Sequence, residues 1–90
     1  MEIVLEGNKL LSKEDFHREV REKLELPDYY GNNLDALWDC LTGYIETPIE
    51  IVWTDFKKSK IHLGDYADRA AKILEEAQDE LSDYSFIVKN

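Results

Sequence analysis

Apolar residues recur along this chain with two different periods, and each change of period marks a new element. Ile3, Val4 and Leu5 form a short apolar run closed by Gly7-Asn8, which predicts a buried strand. Ser12 offers a helix N-cap, with Asp15 three residues on as a short variant of the capping box. Leu11 and Phe16 stand at the two positions of a hydrophobic staple. Phe16, Val20 and Leu24 then repeat every four residues as one helical stripe. Pro27 ends that helix, because the residue before a proline avoids helical geometry. A polar, aromatic loop follows from Tyr29 to Asn33. Asn33 can cap a second helix from Leu34 to about Thr42, and Gly43 can terminate it. Ile49, Ile51 and Trp53 alternate as a second strand. Asp55 to Leu63 predicts a short helical turn, with Gly64 as a break and Asp65 as the cap of a last helix. The apolar face of that helix is Tyr66, Ala70, Ile73, Leu74, Ala77 and Leu81. Tyr84, Phe86 and Val88, with Ile87 between, predict a third strand.

The resulting order is β-α-α-β-α-α-β. Strands separated by helices need crossover connections, which are right-handed by default and give a parallel sheet. The expected fold class is therefore α/β, a three-stranded parallel sheet flanked by helices. No linker, repeat or low-complexity segment divides the chain, so residues 1–90 are expected to form one domain.

Charge changes this picture. The chain carries 20 Asp and Glu against 11 Lys and Arg, a formal net charge of −9. Such a balance disfavours nucleic acid and anionic membranes as partners and favours a basic protein. The single Cys40 cannot form an internal disulfide. The acidic N-terminus does not read as a signal peptide, and no apolar run approaches membrane-spanning length. The expected location is the cytoplasm.

The cations are also unevenly placed. Residues 24–56 contain none, where an even spread would put about four. The same stretch holds seven carboxylates: Glu25, Asp28, Asp35, Asp39, Glu46, Glu50 and Asp55. At about 100° per residue from Leu34, Leu37 and Leu41 fall beside Leu34, and Cys40 and Ala36 extend that face. Asp35, Asp39 and Thr42 fall opposite, with Trp38 on the border. Two like charges one turn apart cost a helix roughly 0.2–0.5 kcal/mol. The positive helix N-terminus offsets part of this for Asp35 and less for Asp39.

Several chemistries fit paired carboxylates. They could be a solvated acidic face, a surface for a basic partner, an acid–base pair for hydrolysis, or two ligands of a divalent metal. No nucleophile, histidine or further oxygen ligand stands near them in sequence, so no catalytic residue, metal or cofactor is expected. Cys40 faces the leucine side as a core thiol, and Trp53 reads as core. His17 and His62 read as surface or boundary residues. Glu75, Glu76, Asp79 and Glu80 read as the solvent face of the last helix.

The segment Leu26-Pro27-Asp28-Tyr29-Tyr30-Gly31-Asn32-Asn33-Leu34-Asp35-Ala36-Leu37-Trp38-Asp39-Cys40-Leu41-Thr42-Gly43 closely resembles the signature of the barstar family, intracellular inhibitors of barnase-type secreted ribonucleases. Weaker similarity covers the rest of the chain, with most divergence from about Lys57 to Arg69. The resemblance implies a non-enzymatic inhibitor that plugs a cationic active site in a 1:1 complex, as a monomer when free. It implies that Asp39 takes the place of the substrate phosphate, that Asp35 accepts hydrogen bonds from the cleft, and that Tyr29 packs over a catalytic histidine. Gly31, Asn33, Trp38, Thr42, Gly43, Tyr44 and Glu46 would complete the contact, with Glu76 at its periphery. It also implies a cis peptide at Thr47-Pro48. An inhibitor-like module for another basic toxin is the alternative. Asn32, Tyr44 and Ile45 depart from the family prototype at the rim, and Ser82 stands where the prototype has its second cysteine.

Overall fold

Three short strands pair in parallel in the order β1-β2-β3, and the connections between them carry all the helices. The computed structural model describes residues 1–90. Strand β1 (Glu2–Glu6) leads through a 3-10 turn at Gly7–Lys9 into α1 (Lys13–Lys23) and α2 (Leu34–Gly43). Strand β2 (Ile49–Thr54) leads into α3 (Phe56–Leu63) and α4 (Asp65–Glu80), and β3 (Tyr84–Val88) follows. This is the expected α/β order with one 3-10 turn added. The Thr47-Pro48 peptide is cis.

Strand periodicity decides which residues enter the core. Ile3 and Leu5, Ile49, Ile51 and Trp53, and Tyr84 and Phe86 point to one face and join the hydrophobic core with the helices. The other face carries a central row, Val4 opposite Val52 opposite Ile87, that stays outside that core. Phe16 stacks on Trp53 at 5.3 Å between ring centroids. Val88, which alternates with Ile87 in the expected strand, is 42% exposed and stays outside the core.

Side chains from the helices occupy both free edges of the sheet. The backbone N–H of Glu6 donates to Glu19 at 3.0 Å, and Lys23 Nζ donates to the Val4 carbonyl at 2.9 Å. Glu19 and Lys23 are themselves paired, one turn apart on α1. On the opposite edge the Phe86 N–H donates to Gln78 of α4 at 3.0 Å. Unpaired edge groups invite pairing with another chain, and these contacts remove some of them.

Several local expectations are corrected. Ser12 caps α1 as predicted, accepting from the Asp15 N–H, while the Asp15 carboxylate reaches back to the Leu11 N–H. The staple is not made: Leu11 is 55% exposed, and its neighbour Leu10 is the one that enters the core. Gly43 does not end α2 in a left-handed turn. It is the last helical residue, and the N–H groups of Tyr44 and Ile45 both return to the Cys40 carbonyl. Residues 56–63 form a two-turn helix rather than a single turn. Asp65 is the first residue of α4 and not its cap. Gly64, at φ 59°, separates α3 from α4 by itself and takes the cap position.

A buried hydrogen-bonded link ties the ends of the first two strands to α3. Trp53 Nε1 donates to Ser59 Oγ at 2.9 Å, and Ser59 donates to the Gly7 carbonyl at 2.9 Å. The link requires close approach at Gly7. A Cβ there would lie 2.1 Å from the Thr54 carbonyl oxygen and 2.6 Å from Ser59 Oγ. Gly7→Ala is expected to lower the unfolding free energy by about 3 kcal/mol, at the severe end of overpacking. Urea denaturation measures it, and a loss below about 1 kcal/mol would show that the backbone of β2 yields.

Candidate functional site

Helix α2 begins where Asn33 fixes it. The Asn33 side chain accepts from the Ala36 N–H at 2.7 Å and donates to the Gly31 carbonyl at 3.2 Å, so one amide caps the helix and closes the preceding loop. Leu34, Leu37, Cys40 and Leu41 are buried and hold one side of α2 in the core. Burial pushes the Cys40 thiol up, with a smaller contribution from Asp39, which suits the inert core thiol expected from the sequence.

The opposite side is open, as the helical projection predicts. Asp35 and Asp39 are exposed, and Trp38 and Thr42 are half-buried beside them. The Thr42 hydroxyl donates to the Trp38 carbonyl at 2.8 Å, which leaves its oxygen free to accept. The protein contains five ion pairs, and none involves a carboxylate of residues 24–56. Asp35 and Asp39 therefore lack a neutralising cation in three dimensions as well as in sequence. No three His, Cys, Asp or Glu side chains converge to hold a metal.

The loop before α2 splits two adjacent tyrosines. Tyr29 is 82% exposed, whereas Tyr30 is buried and hydrogen-bonds His17 Nδ1 at 2.6 Å. The other ring nitrogen of His17 meets the Tyr66 hydroxyl of α4, also at 2.6 Å. Here the sequence reading is corrected: His17 is not a boundary residue but is 2% exposed, joining α1, the loop and α4. The signal was present in the spacing, since His17 precedes Val20 by three residues and Leu24 by seven, on the same apolar stripe. His62 is exposed, as expected.

Gly31 and Asn33 are exposed in the loop, Gly43 and Tyr44 at the exit of α2, and Glu46 just beyond. Glu76 is exposed on α4, which packs against α2, and it is the one predicted site residue with an internal ion pair, a 3.9 Å contact to Lys72. Nearly all the expected residues are thus contributed by one loop, one helix and its exit, with Glu76 on a neighbouring helix.

These features define a class: a small α/β protein that presents an uncompensated acidic loop-and-helix surface. The chain matches the family model described as "Barstar (barnase inhibitor)" over residues 1–89, and it belongs to the barstar family. It is also 46% identical over 81 residues to a Bacillus subtilis (strain 168) protein named "Putative ribonuclease inhibitor YrdF", covering 90% of this chain and 89% of that one. Members of this family inhibit ribonucleases and are not enzymes, and membership implies a ribonuclease partner. No helix is long and apolar enough to cross a membrane.

Burial holds the His17 imidazole below the ordinary histidine value of 6.5, with Glu14 opposing by a smaller amount. The unfolded chain then binds the proton before the native one does. His17 contributes stability that is complete above about pH 6.5 and is lost as pH falls below it, with a slope of at most about 1.4 kcal/mol per pH unit. Urea unfolding of the wild type and His17→Gln at pH 7.5, 6.5 and 5.5 should show a steeper loss in the wild type. Equal slopes would remove His17 from the account.

Proposed function

We propose that this protein blocks the active site of a barnase-type ribonuclease by filling its cationic cleft with the loop at residues 29–33 and the outer face of α2. The observation that carries this reading is the pair Asp35 and Asp39, exposed one turn apart with no intramolecular cation. A ribonuclease must gather positive charge to bind a polyanionic substrate. Carboxylates offered at helical spacing can stand in for that substrate without being cleaved.

The roles of the residues are those that the family resemblance implies. Asp39 is the central anion, taking the place of the substrate phosphate. Asp35 accepts hydrogen bonds from the cleft, and the exposed Tyr29 ring lies over a catalytic histidine. Gly31, Asn33, Trp38, Thr42, Gly43, Tyr44 and Glu46 surround this centre, and Glu76 lies at the periphery. The complex is 1:1, the free protein is a monomer of one domain, and it acts in the cytoplasm, where a lone Cys40 stays reduced. Asn32, Tyr44 and Ile45 at the rim set which ribonuclease is bound, so the cognate enzyme need not be barnase.

Titration against a panel of barnase-type ribonucleases should give stoichiometric inhibition of at least one, and inhibition of none would overturn the proposal. Removing one partner of a desolvated charge pair costs on the order of 3–5 kcal/mol, whereas an exposed pair contributes roughly 0.2–1 kcal/mol. Asp39→Ala should therefore raise the inhibition constant about a hundredfold or more and Glu76→Ala less than about fivefold. Equal losses would contradict the assigned centre.

Gly43 separates binding from folding. A Cβ at this position meets nothing within 4 Å. Gly43→Ala should leave thermal stability unchanged or raise it by up to about 1 kcal/mol, because alanine favours the helix. It should still weaken inhibition by crowding the partner. Unaltered inhibition would place Gly43 outside the contact.

A further inference from the structure

A cavity of about 380 Å³ lies between α1 and the start of α4, with Asn32 of the loop on one side. Its volume falls near the lower end of small-molecule sites, roughly 300–1,000 Å³. In a chain with almost twice as many carboxylates as cations, three of the cations, Lys13, Arg18 and Arg21, line this one cavity. Glu14 is the single carboxylate among the lining residues. Arg18 is engaged by Asp15. Lys13 and Arg21 belong to none of the ion pairs, and neither does the neighbouring Arg69.

Hydrogen bonding gives the cavity a directed donor. A neutral imidazole has one N–H and one bare nitrogen, yet His17 has a tyrosine hydroxyl 2.6 Å from each. One tyrosine must donate to the ring and the other must accept from it. Tyr30 is buried, and a hydroxyl proton without an acceptor would be costly there, so Tyr30 donates to Nδ1. His17 Nε2–H then donates to Tyr66, whose own proton is left to point elsewhere. Tyr66 is the half-buried partner and it lines the cavity. Lys13 Nζ stands 4.8 Å from the Tyr66 ring centroid and Arg69 Cζ 5.7 Å. With cations already over the ring, Tyr66 offers its hydroxyl rather than a face for stacking.

We infer that this cavity binds a phosphate dianion, free or as the ester of a small molecule, with the Tyr66 hydroxyl as hydrogen-bond donor and Lys13 and Arg21 as counter-charges. The site shares Asn32 with the rim of the proposed ribonuclease contact, but its donor and its cations lie on α1 and α4, and it does not depend on the function proposed for the acidic face. A phosphate suits it because an anion of charge −2 is matched by the two unpaired cations and accepts a directed O–H bond at the same time.

The test is an NMR titration of the whole protein at pH 7.5 with inorganic phosphate in one arm and methyl phosphate in the other. Sodium chloride at matched ionic strength is the control. The expected result is single-site saturation at millimolar concentration or below, with the largest shifts at Tyr66, His17 and Arg21. Tyr66→Phe removes the donor and keeps the ring, and Arg21→Gln removes a charge. Each should weaken binding about tenfold or more in a protein whose amide spectrum remains folded. Tighter binding of methyl phosphate assigns the site to esters, and tighter binding of inorganic phosphate assigns it to the free ion. Shifts that grow linearly in both arms, match the chloride control, or persist unchanged in both variants overturn the inference.

Discussion

The hydrogen bonds of His17 to Tyr30 and Tyr66 hold the acidic surface in place. The loop between α1 and α2 has no regular backbone pairing over most of its length. Its position rests on Leu26 and Tyr30 in the core, on the Asn33 cap, and on the imidazole that receives the Tyr30 hydroxyl. Burying that hydroxyl without a partner would cost about 1–3 kcal/mol, so the loop has one favourable seating. Once Tyr30 is anchored inward, Tyr29 is turned outward and Asn33 is delivered to the start of α2. The orientation of Asp35 and Asp39 follows, because they lie in the first and second turns after that cap.

The elements that could be read from the sequence are those whose burial is periodic. α1, α2 and α4 each set a continuous stripe against the core, and the strands alternate cleanly enough to be placed to within a residue or two. α3 has no such stripe: only Ser59 and Leu63 of its eight residues are buried, and Ser59 is polar. Its buried polar contacts reach Trp53 in the preceding strand and Gly7, 52 residues away, and neither follows a helical or strand period. His17 falls on the apolar stripe of α1, yet its residue type argues against burial. Polarity suggested the surface, while the partners that make its burial favourable stand 13 and 49 residues away.

The candidate site was more legible than these structural details because its signature is local. Which side of a helix a residue faces depends on spacing alone, so the projection of α2 separates leucines from aspartates without knowledge of the fold. The absence of lysine and arginine over residues 24–56 is likewise a property of the chain. What spacing could not supply is the company of that helix. Glu76 reaches the neighbourhood only through the packing of α4 on α2, and its place among the site residues came from resemblance to the family.

The acidic face also shows why stability and binding conflict only weakly here. Fully hydrated carboxylates one turn apart repel by a few tenths of a kcal/mol, while Leu34, Leu37 and Leu41 bury enough apolar surface behind them to exceed that many times over. A lysine placed one turn away on α2 would relieve the repulsion and stabilise the free protein slightly. It would also bring to the binding surface a charge that a cationic cleft repels. The large electrostatic energies arise only when a partner excludes water and supplies the opposite charge. Leaving Asp35 and Asp39 unpaired is thus a small defect in the free fold and a large asset in a complex. This difference in magnitude lets one helix serve the core with one side and recognition with the other.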